Sequence, residues 1–167
     1  MIIMGVDPGY AITGYGILET KNNRLNPLDF GVLTTPARMP IERRLYKIHT
    51  GLIAIMREYN PAVLAVEELF FARNTTTAIG TAEARGIALL AAAQYKIPVF
   101  EYTPLQVKLA VTGYGKSEKR QVQSMVKLLL HLDEMPKPDD AADALAIAVC
   151  QAHTGPRVDF RAVGGYQ

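Results

Sequence analysis

Two short apolar runs in this chain each end in a carboxylate, and this arrangement restricts what the chain can fold into. Residues 2–6 are followed by Asp7, and residues 62–66 are followed by Glu67. Apolar runs of this length are typical of buried strands. A carboxylate left unpaired beside such a core costs several kcal/mol, so both acids need a compensating partner.

A second acidic pair stands near the end of the chain. Asp140 and Asp143 precede the apolar stretch 144–149 and are three positions apart, which places them on one face of a helix. If that helix packs across the edge of the sheet, all four carboxylates point to one place. A divalent cation would compensate them together, and this is the site that the sequence predicts.

The pattern of apolar residues and turn signals predicts a mixed sheet. Gly14 and Gly16, within the second strand, allow close backbone approach, and Asn22 and Asn23 mark a turn. The predicted strands are 2–7, 13–19, 29–35, 62–67 and 99–102, and the predicted helices are 41–59, 76–95, 104–112, 117–132 and 139–153. A meander followed by alternating strands and helices implies an α/β fold in which helices flank the sheet. Ligand crevices in such sheets lie beyond the carboxyl ends of the strands, where Asp7 and Glu67 are expected.

Composition narrows the class of protein. The chain has 167 residues, 49% hydrophobic and 20% charged, which is ordinary for one globular domain. We expect that domain to cover residues 1–154 and to be followed by a loose tail, 155–167. The single cysteine, Cys150, excludes an internal disulfide framework and favours a core thiol. Neither a signal peptide nor a membrane span is recognisable, so a cytoplasmic protein is expected.

Four motifs, in order along the chain, carry a resemblance to a known family. They are Gly5-Val6-Asp7-Pro8-Gly9 with Thr13-Gly14-Tyr15-Gly16; Val66-Glu67-Glu68-Leu69-Phe70-Phe71 with Asn74; Gln106-Val107-Lys108 with Gly113 to Gly115 and Glu118-Lys119; and the run from Asp140 to Ala148. Together they resemble the RuvC-type crossover-junction endodeoxyribonucleases, the bacterial Holliday-junction resolvases. The resemblance extends from residue 2 to about residue 153.

The resemblance implies a ribonuclease-H-like fold with a mixed five-stranded sheet, and magnesium-dependent nicking of four-way DNA junctions in recombination and repair. It implies two Mg²⁺ ions per subunit, with Mn²⁺ able to substitute. Asp7 would bridge both ions, Glu67 would stand on one side, and Asp140 and Asp143 would complete the site. Carboxylates suffice for this, because Mg²⁺ prefers oxygen ligands and two such ions can clamp an in-line displacement.

Partners are implied as well. The resemblance points to a homodimer and to the RuvA–RuvB branch-migration complex. Small residues recur along the predicted helix 76–95, where they would let another helix approach closely. That second helix belongs to the same chain or, as the resemblance implies, to the other subunit. A two-fold dimer suits a substrate that must be nicked in two symmetry-related strands.

Basic residues suggest how DNA is held. Lys116, Lys119 and Arg120 crowd the start of the predicted helix 117–132, where cations oppose the helix dipole unless a phosphate docks there. The alternative is a solvated surface on which Glu118 offsets them. Lys108 either reaches the scissile phosphate or covers apolar surface. The family positions favour Lys108 and Lys119.

The loop after Glu67 supplies further candidates. One of Phe70 and Phe71 belongs to the core and the other stacks on an unpaired base, and the resemblance selects Phe70 for stacking. Arg73 is a further expected phosphate contact.

Three other functions compete with junction cleavage. One is a nuclease of the same fold that acts on other structured nucleic acids. Another is a non-catalytic junction-binding module, disfavoured because none of the four acids is missing. The third is an actin-like or sugar-kinase ATPase, suggested by Asp7-Pro8-Gly9 with Thr13-Gly14, but such proteins need two domains of this kind.

Overall fold

A mixed five-stranded sheet forms the centre of the protein in the computed structural model, which describes residues 1–69 and 75–155. The strands are β1 (Ile2–Asp7), β2 (Ile12–Lys21), β3 (Arg24–Thr34), β4 (Val63–Glu67) and β5 (Val99–Tyr102). Their order is β3-β2-β1-β4-β5. The first three strands pair antiparallel, whereas β1, β4 and β5 run parallel.

In the described part of the chain, five helices flank this sheet. They are α1 (Ile41–Tyr59), α2 (Thr75–Gln94), α3 (Pro104–Thr112), α4 (Lys119–Leu129) and α5 (Asp139–Thr154). The expected α/β class, with a mixed five-stranded ribonuclease-H-like sheet, is confirmed. Among residues 1–69 and 75–155, no helix combines the length and the apolar character that a membrane crossing requires.

Each face of the sheet has its own hydrophobic core. Ile3, Val63 and Ala65 pack against α3, α4 and α5, whereas Met4 and Leu64 pack against α1 and α2. The division follows from the alternation of side chains along a strand. Cys150 is buried on α5, as expected for a core thiol, and burial raises the pKa of this thiol to about 11.

Several predicted boundaries were wrong in detail. The third strand begins at Arg24 rather than at residue 29, and α4 begins at Lys119 rather than at residue 117. Pro138 is the N-cap of the last helix, and Asp139 is its first helical residue. Residues 156–167, most of the predicted tail, lie outside the described residues.

Candidate active site

Asp7 and Glu67 end neighbouring parallel strands. Val6 pairs with Val66. Asp7 and Glu67 are the next residues on these two strands, so they lie side by side at the end of the pair. Ile3, Val63 and Ala65 face the α5 side of the sheet. Because faces alternate along a strand, Asp7 and Glu67 project to that side as well.

Two glycines let α5 carry the second acidic pair to this point. An ideal Cβ at Gly14 would lie 2.0 Å from the backbone oxygen of Asp140, and one at Gly5 would lie 2.1 Å from that of Ala144. Neither position tolerates a side chain unless the helix moves. The close backbone approach predicted for Gly14 is therefore confirmed, and it brings the start of α5 against β1 and β2.

These elements enclose a cleft of about 190 Å³, several times the roughly 30 Å³ that one water molecule occupies. Apolar side chains from α3, α4 and α5 form part of its wall. The lining residues are Asp7, Glu67, Pro104, Val107, Lys108, Lys119, Val122, Asp143, Ala146 and Ile147. Asp140 is not among them, although its charge acts on Asp7.

The acids raise one another's pKa values. Burial, followed by the negative charges of Glu67, Asp143 and Asp140, raises the pKa of Asp7 from 3.8 to about 7. Burial and the charge of Asp143 also raise the pKa of Glu67. Burial, together with the charges of Asp139 and Asp140, raises the pKa of Asp143 even though Lys119 acts to lower it. The cluster therefore carries more negative charge than its protein surroundings compensate.

Lys119 reaches into this cluster from the first turn of α4. Its Nζ lies 2.8 Å from Asp143 Oδ2 and 3.5 Å from Asp139 Oδ2. Burial acts to lower the pKa of Lys119, but the hydrogen bond and charge of Asp143, with those of Asp139, outweigh it and raise that pKa. The ammonium is thus held as a cation beside the acids.

The donor set suits a hard divalent cation. Carboxylate oxygens are the ligands that Mg²⁺ and Ca²⁺ prefer. A bound cation of this kind would compensate the negative charge of Asp7. Within residues 1–69 and 75–155, however, no three acidic, His or Cys side chains converge closely enough to hold one ion. The residues fit a metal by chemistry, and their side chains must rearrange to become ligands.

The predicted DNA contacts occupy different places. Lys108 and Lys119 line the cleft, whereas Lys116 and Arg120 are exposed and do not line it. Lys116 was expected beside the first turn of α4, but it lies two residues before Glu118, the N-cap of that helix. The backbone N–H of Glu118 already donates to Gln121 Oε1 at 2.8 Å. Phe70, Phe71 and Arg73 lie outside the described residues.

A buried arginine that sequence reasoning missed supports the loop after Asp7. Arg44 is 6% exposed and stacks on the Tyr10 ring, 4.3 Å from its centroid. Its Nε donates to Thr35 Oγ1 at 2.8 Å, and that hydroxyl donates to the Tyr10 backbone oxygen. The signal was available, because Arg44 lies four residues before the buried Ile48 on the core face of α1.

Comparison with known proteins places this geometry in a family. A family model described as crossover junction endodeoxyribonuclease RuvC matches residues 3–151. A protein of that name from Desulfitobacterium hafniense is 58% identical over 154 residues, which cover 92% of this chain and 93% of the relative.

Solved structures agree in fold. A Thermus thermophilus RuvC in complex with a Holliday junction substrate is 36% identical, with a TM-score of 0.88 over 92% of this chain and 94% of that one. The yeast mitochondrial Holliday junction resolvase is 12% identical, with a TM-score of 0.64 over 90% of this chain and 77% of that one. The second likeness concerns the fold alone.

Proposed function

Because this chain belongs to the RuvC family of crossover junction endodeoxyribonucleases, we propose that its cleft hydrolyses a phosphodiester bond at a four-way DNA junction. One observation carries the proposal: three buried or half-buried acids, Asp7, Glu67 and Asp143, share a cleft with two lysines. Acids of this kind hold cations, and lysines attract phosphate. A cleft with both suits a phosphodiester substrate.

We assign Asp7, Glu67, Asp140 and Asp143 as the ligands of two Mg²⁺ ions, for which Mn²⁺ can substitute. When bound, two such ions would supply Lewis-acid stabilisation to both the attacking and the leaving oxygen. Asp7 is assigned the shared position, because its charge interacts with those of the other three acids. Gly5 and Gly14 hold α5 against the sheet, and so they keep the two acidic pairs together.

The basic residues are assigned to the DNA backbone. Lys108 lines the cleft and its charge acts on Glu67, and we assign it to the scissile phosphate. Lys119 also lines the cleft, from the first turn of α4. Lys116, Arg120 and Arg73 are proposed as more distant phosphate contacts, and Phe70 is proposed to stack on a base.

The test is a nicking assay with a synthetic mobile four-way junction, in Mg²⁺ and then in EDTA. Paired nicks in Mg²⁺ and none in EDTA are expected. Ca²⁺ should support binding with little cutting, because its looser coordination fits in-line geometry poorly. Preferred cutting of flaps or RNA hybrids in competition would favour another nuclease of this fold, and tight binding with no cutting in any metal would favour a binding module.

We predict that Lys108→Ala slows nicking more than it weakens binding. Loss of a charge beside the reacting phosphate should lower the single-turnover rate by about 10²-fold, with junction affinity changed by less than about threefold in Ca²⁺. Lys127→Ala is the matched control, since Lys127 lies in the last turn of α4 and away from the cleft lining. Equal losses of rate and affinity would indicate that Lys108 only binds the DNA backbone.

We further propose a homodimer formed through α2. Ile79 and Leu90 are large apolar residues left 63% and 50% exposed. Glu83 and Gly86 lie between them at helical spacing and are exposed as well, so the four form one stripe along the helix. A Cβ at Gly86 would meet nothing within 4 Å. This open, partly apolar stripe is suited to a second copy of α2.

Leu90→Arg is therefore expected to produce monomers. A charge placed in the middle of an apolar helix contact is left without a partner, so sedimentation should show half the wild-type mass at micromolar concentration, with little change in the monomer's own fold. Leu128→Arg is the control, because Leu128 is 64% exposed on α4. Dimers in both variants would exclude this stripe as the interface.

Two wider assignments follow from the same family membership. The RuvA–RuvB branch-migration complex is the proposed partner at the junction. The cytoplasm is the proposed compartment, because a bacterial enzyme that resolves such junctions acts on chromosomal DNA.

A further inference from the structure

The ion pairs of Lys119 connect the proposed DNA contacts with the proposed metal site. Asp143 Oδ2, 2.8 Å from the Lys119 ammonium, belongs to a proposed metal ligand, whereas Asp139 Oδ2, at 3.5 Å, does not. Asp139 and Asp143 lie one helical turn apart on α5. The ammonium therefore lies between Asp143, which lines the cleft, and Asp139, which does not.

A cation bound to Asp143 and the Lys119 ammonium compete for the same carboxylate. The side chains of the acids are not placed to hold one ion together within residues 1–69 and 75–155. One of them, Asp143, instead contacts the Lys119 ammonium at 2.8 Å. A lysine does this well, because its ammonium is a compact charge on a flexible stem.

We propose that Lys119 is an exchangeable internal counter-cation. In the metal-free protein it neutralises part of the acidic cluster through Asp143. When divalent ions take over that role, the ammonium is released from Asp143 and becomes available to a DNA phosphate. Asp139, which is exposed beside the cleft, acts as a positioning residue that keeps the released ammonium at the rim. The inference rests on the proposed metal site, and it couples metal binding to the number of phosphates contacted.

The first test needs no DNA. Melting temperatures are measured in EDTA and over a Ca²⁺ titration for wild type, Lys119→Met and Arg120→Met. Arg120 is the neighbouring exposed cation in α4 and forms no ion pair with the cluster among the described residues. Lys119→Met should melt about 1–3 °C lower in EDTA and should bind Ca²⁺ about threefold more tightly. Arg120→Met should change neither, and Lys119→Arg should restore the melting temperature in EDTA.

The outcomes separate this inference from the metal site itself. If no variant responds to Ca²⁺, the metal assignment fails. The same Ca²⁺ titration midpoint and the same melting temperature in EDTA for wild type and Lys119→Met would support the metal site but overturn the role of Lys119 as a counter-cation.

The second test measures DNA contact directly. Junction affinity is measured against salt concentration, in EDTA and in Ca²⁺, for wild type and Lys119→Met. Each phosphate contact adds about 0.9 to the slope of log K against log salt. The slopes should differ by about 0.9 in Ca²⁺ and should coincide in EDTA, where the ammonium is held by Asp143. A difference of equal size in both conditions, or in neither, would overturn the exchange.

Discussion

Asp7→Asn is expected to abolish junction nicking and, in the absence of metal, to raise the melting temperature. The substitution keeps the shape of the side chain but removes the charge assigned to the shared metal position. A loss of at least about 10³-fold in rate, equivalent to about 4 kcal/mol of barrier, is expected with junction binding retained. Asp140→Asn and Asp143→Asn should lose cleavage in the same way.

The gain in stability follows from the pKa of Asp7. Burial and three neighbouring acids raise this pKa to about 7 in the folded protein, from 3.8. The folded state therefore favours the protonated acid, and the stability present at low pH is lost as pH rises from about 4 to about 7. Asparagine avoids this loss, so the two metal-free proteins should differ little near pH 4 and by at least about 1 kcal/mol above pH 7.

Thermal unfolding in EDTA across this pH range, with nicking assays at pH 8, measures both effects. Asp133→Asn is the control, since Asp133 is exposed and does not line the cleft. Substantial magnesium-dependent nicking by purified Asp7→Asn would falsify the assignment. A melting temperature that falls in parallel for both proteins would show that the charge of Asp7 is compensated within the protein.

Gly14→Ala should damage stability and activity together. The added methyl group would lie 2.0 Å from the Asp140 backbone oxygen, and a backbone atom in a helix cannot turn aside as a side chain can. Overpacking of this kind costs about 1–3 kcal/mol, or roughly 2–12 °C in a domain of this size. The helix also carries Asp140 and Asp143, and a displacement of about 1 Å is enough to cost about 10²-fold in rate.

Gly31→Ala is the matched control for this effect. Gly31 lies on the neighbouring strand, and the atoms nearest to a methyl group there belong to the Tyr15 side chain, the closest at 3.0 Å. A smaller loss of stability with nearly wild-type nicking is expected. If Gly14→Ala melts and cleaves like Gly31→Ala, α5 can shift without consequence and its close approach does not position the acids.

Strong periodic signals explain what was predictable from the sequence. The predicted bounds of β1 and α1 coincide with the structure, because an apolar run and a long amphipathic pattern are each ended by clear breakers. The start of β3 was missed because residues 24–28 include Pro27, which argues against a central strand. β3 is an edge strand, where proline is tolerated, and its register shifts beside Ile17 and Leu18.

The candidate site was predictable only in its separate parts. Asp7 and Glu67 were identified because each ends an apolar run. The contacts of Lys119 with Asp139 and Asp143 join α4 to α5, and no spacing along the chain encodes how two helices dock. The burial of Arg44 was indicated by its helical spacing to Ile48, but its partners Tyr10 and Thr35 lie outside α1 and could not be predicted from that spacing.

The docking of α5 against β1 also has a consequence for biosynthesis. Asp7 and Glu67 are translated well before Asp140 and Asp143, because both precede α5 in the sequence. At about 5–20 residues per second, the growing chain contains Asp7 and Glu67 but not yet Asp140 and Asp143 for roughly ten seconds. Nascent chains and truncated products that lack α5 cannot assemble the cleft, so the cell makes this nuclease without exposing its DNA to a partly finished one.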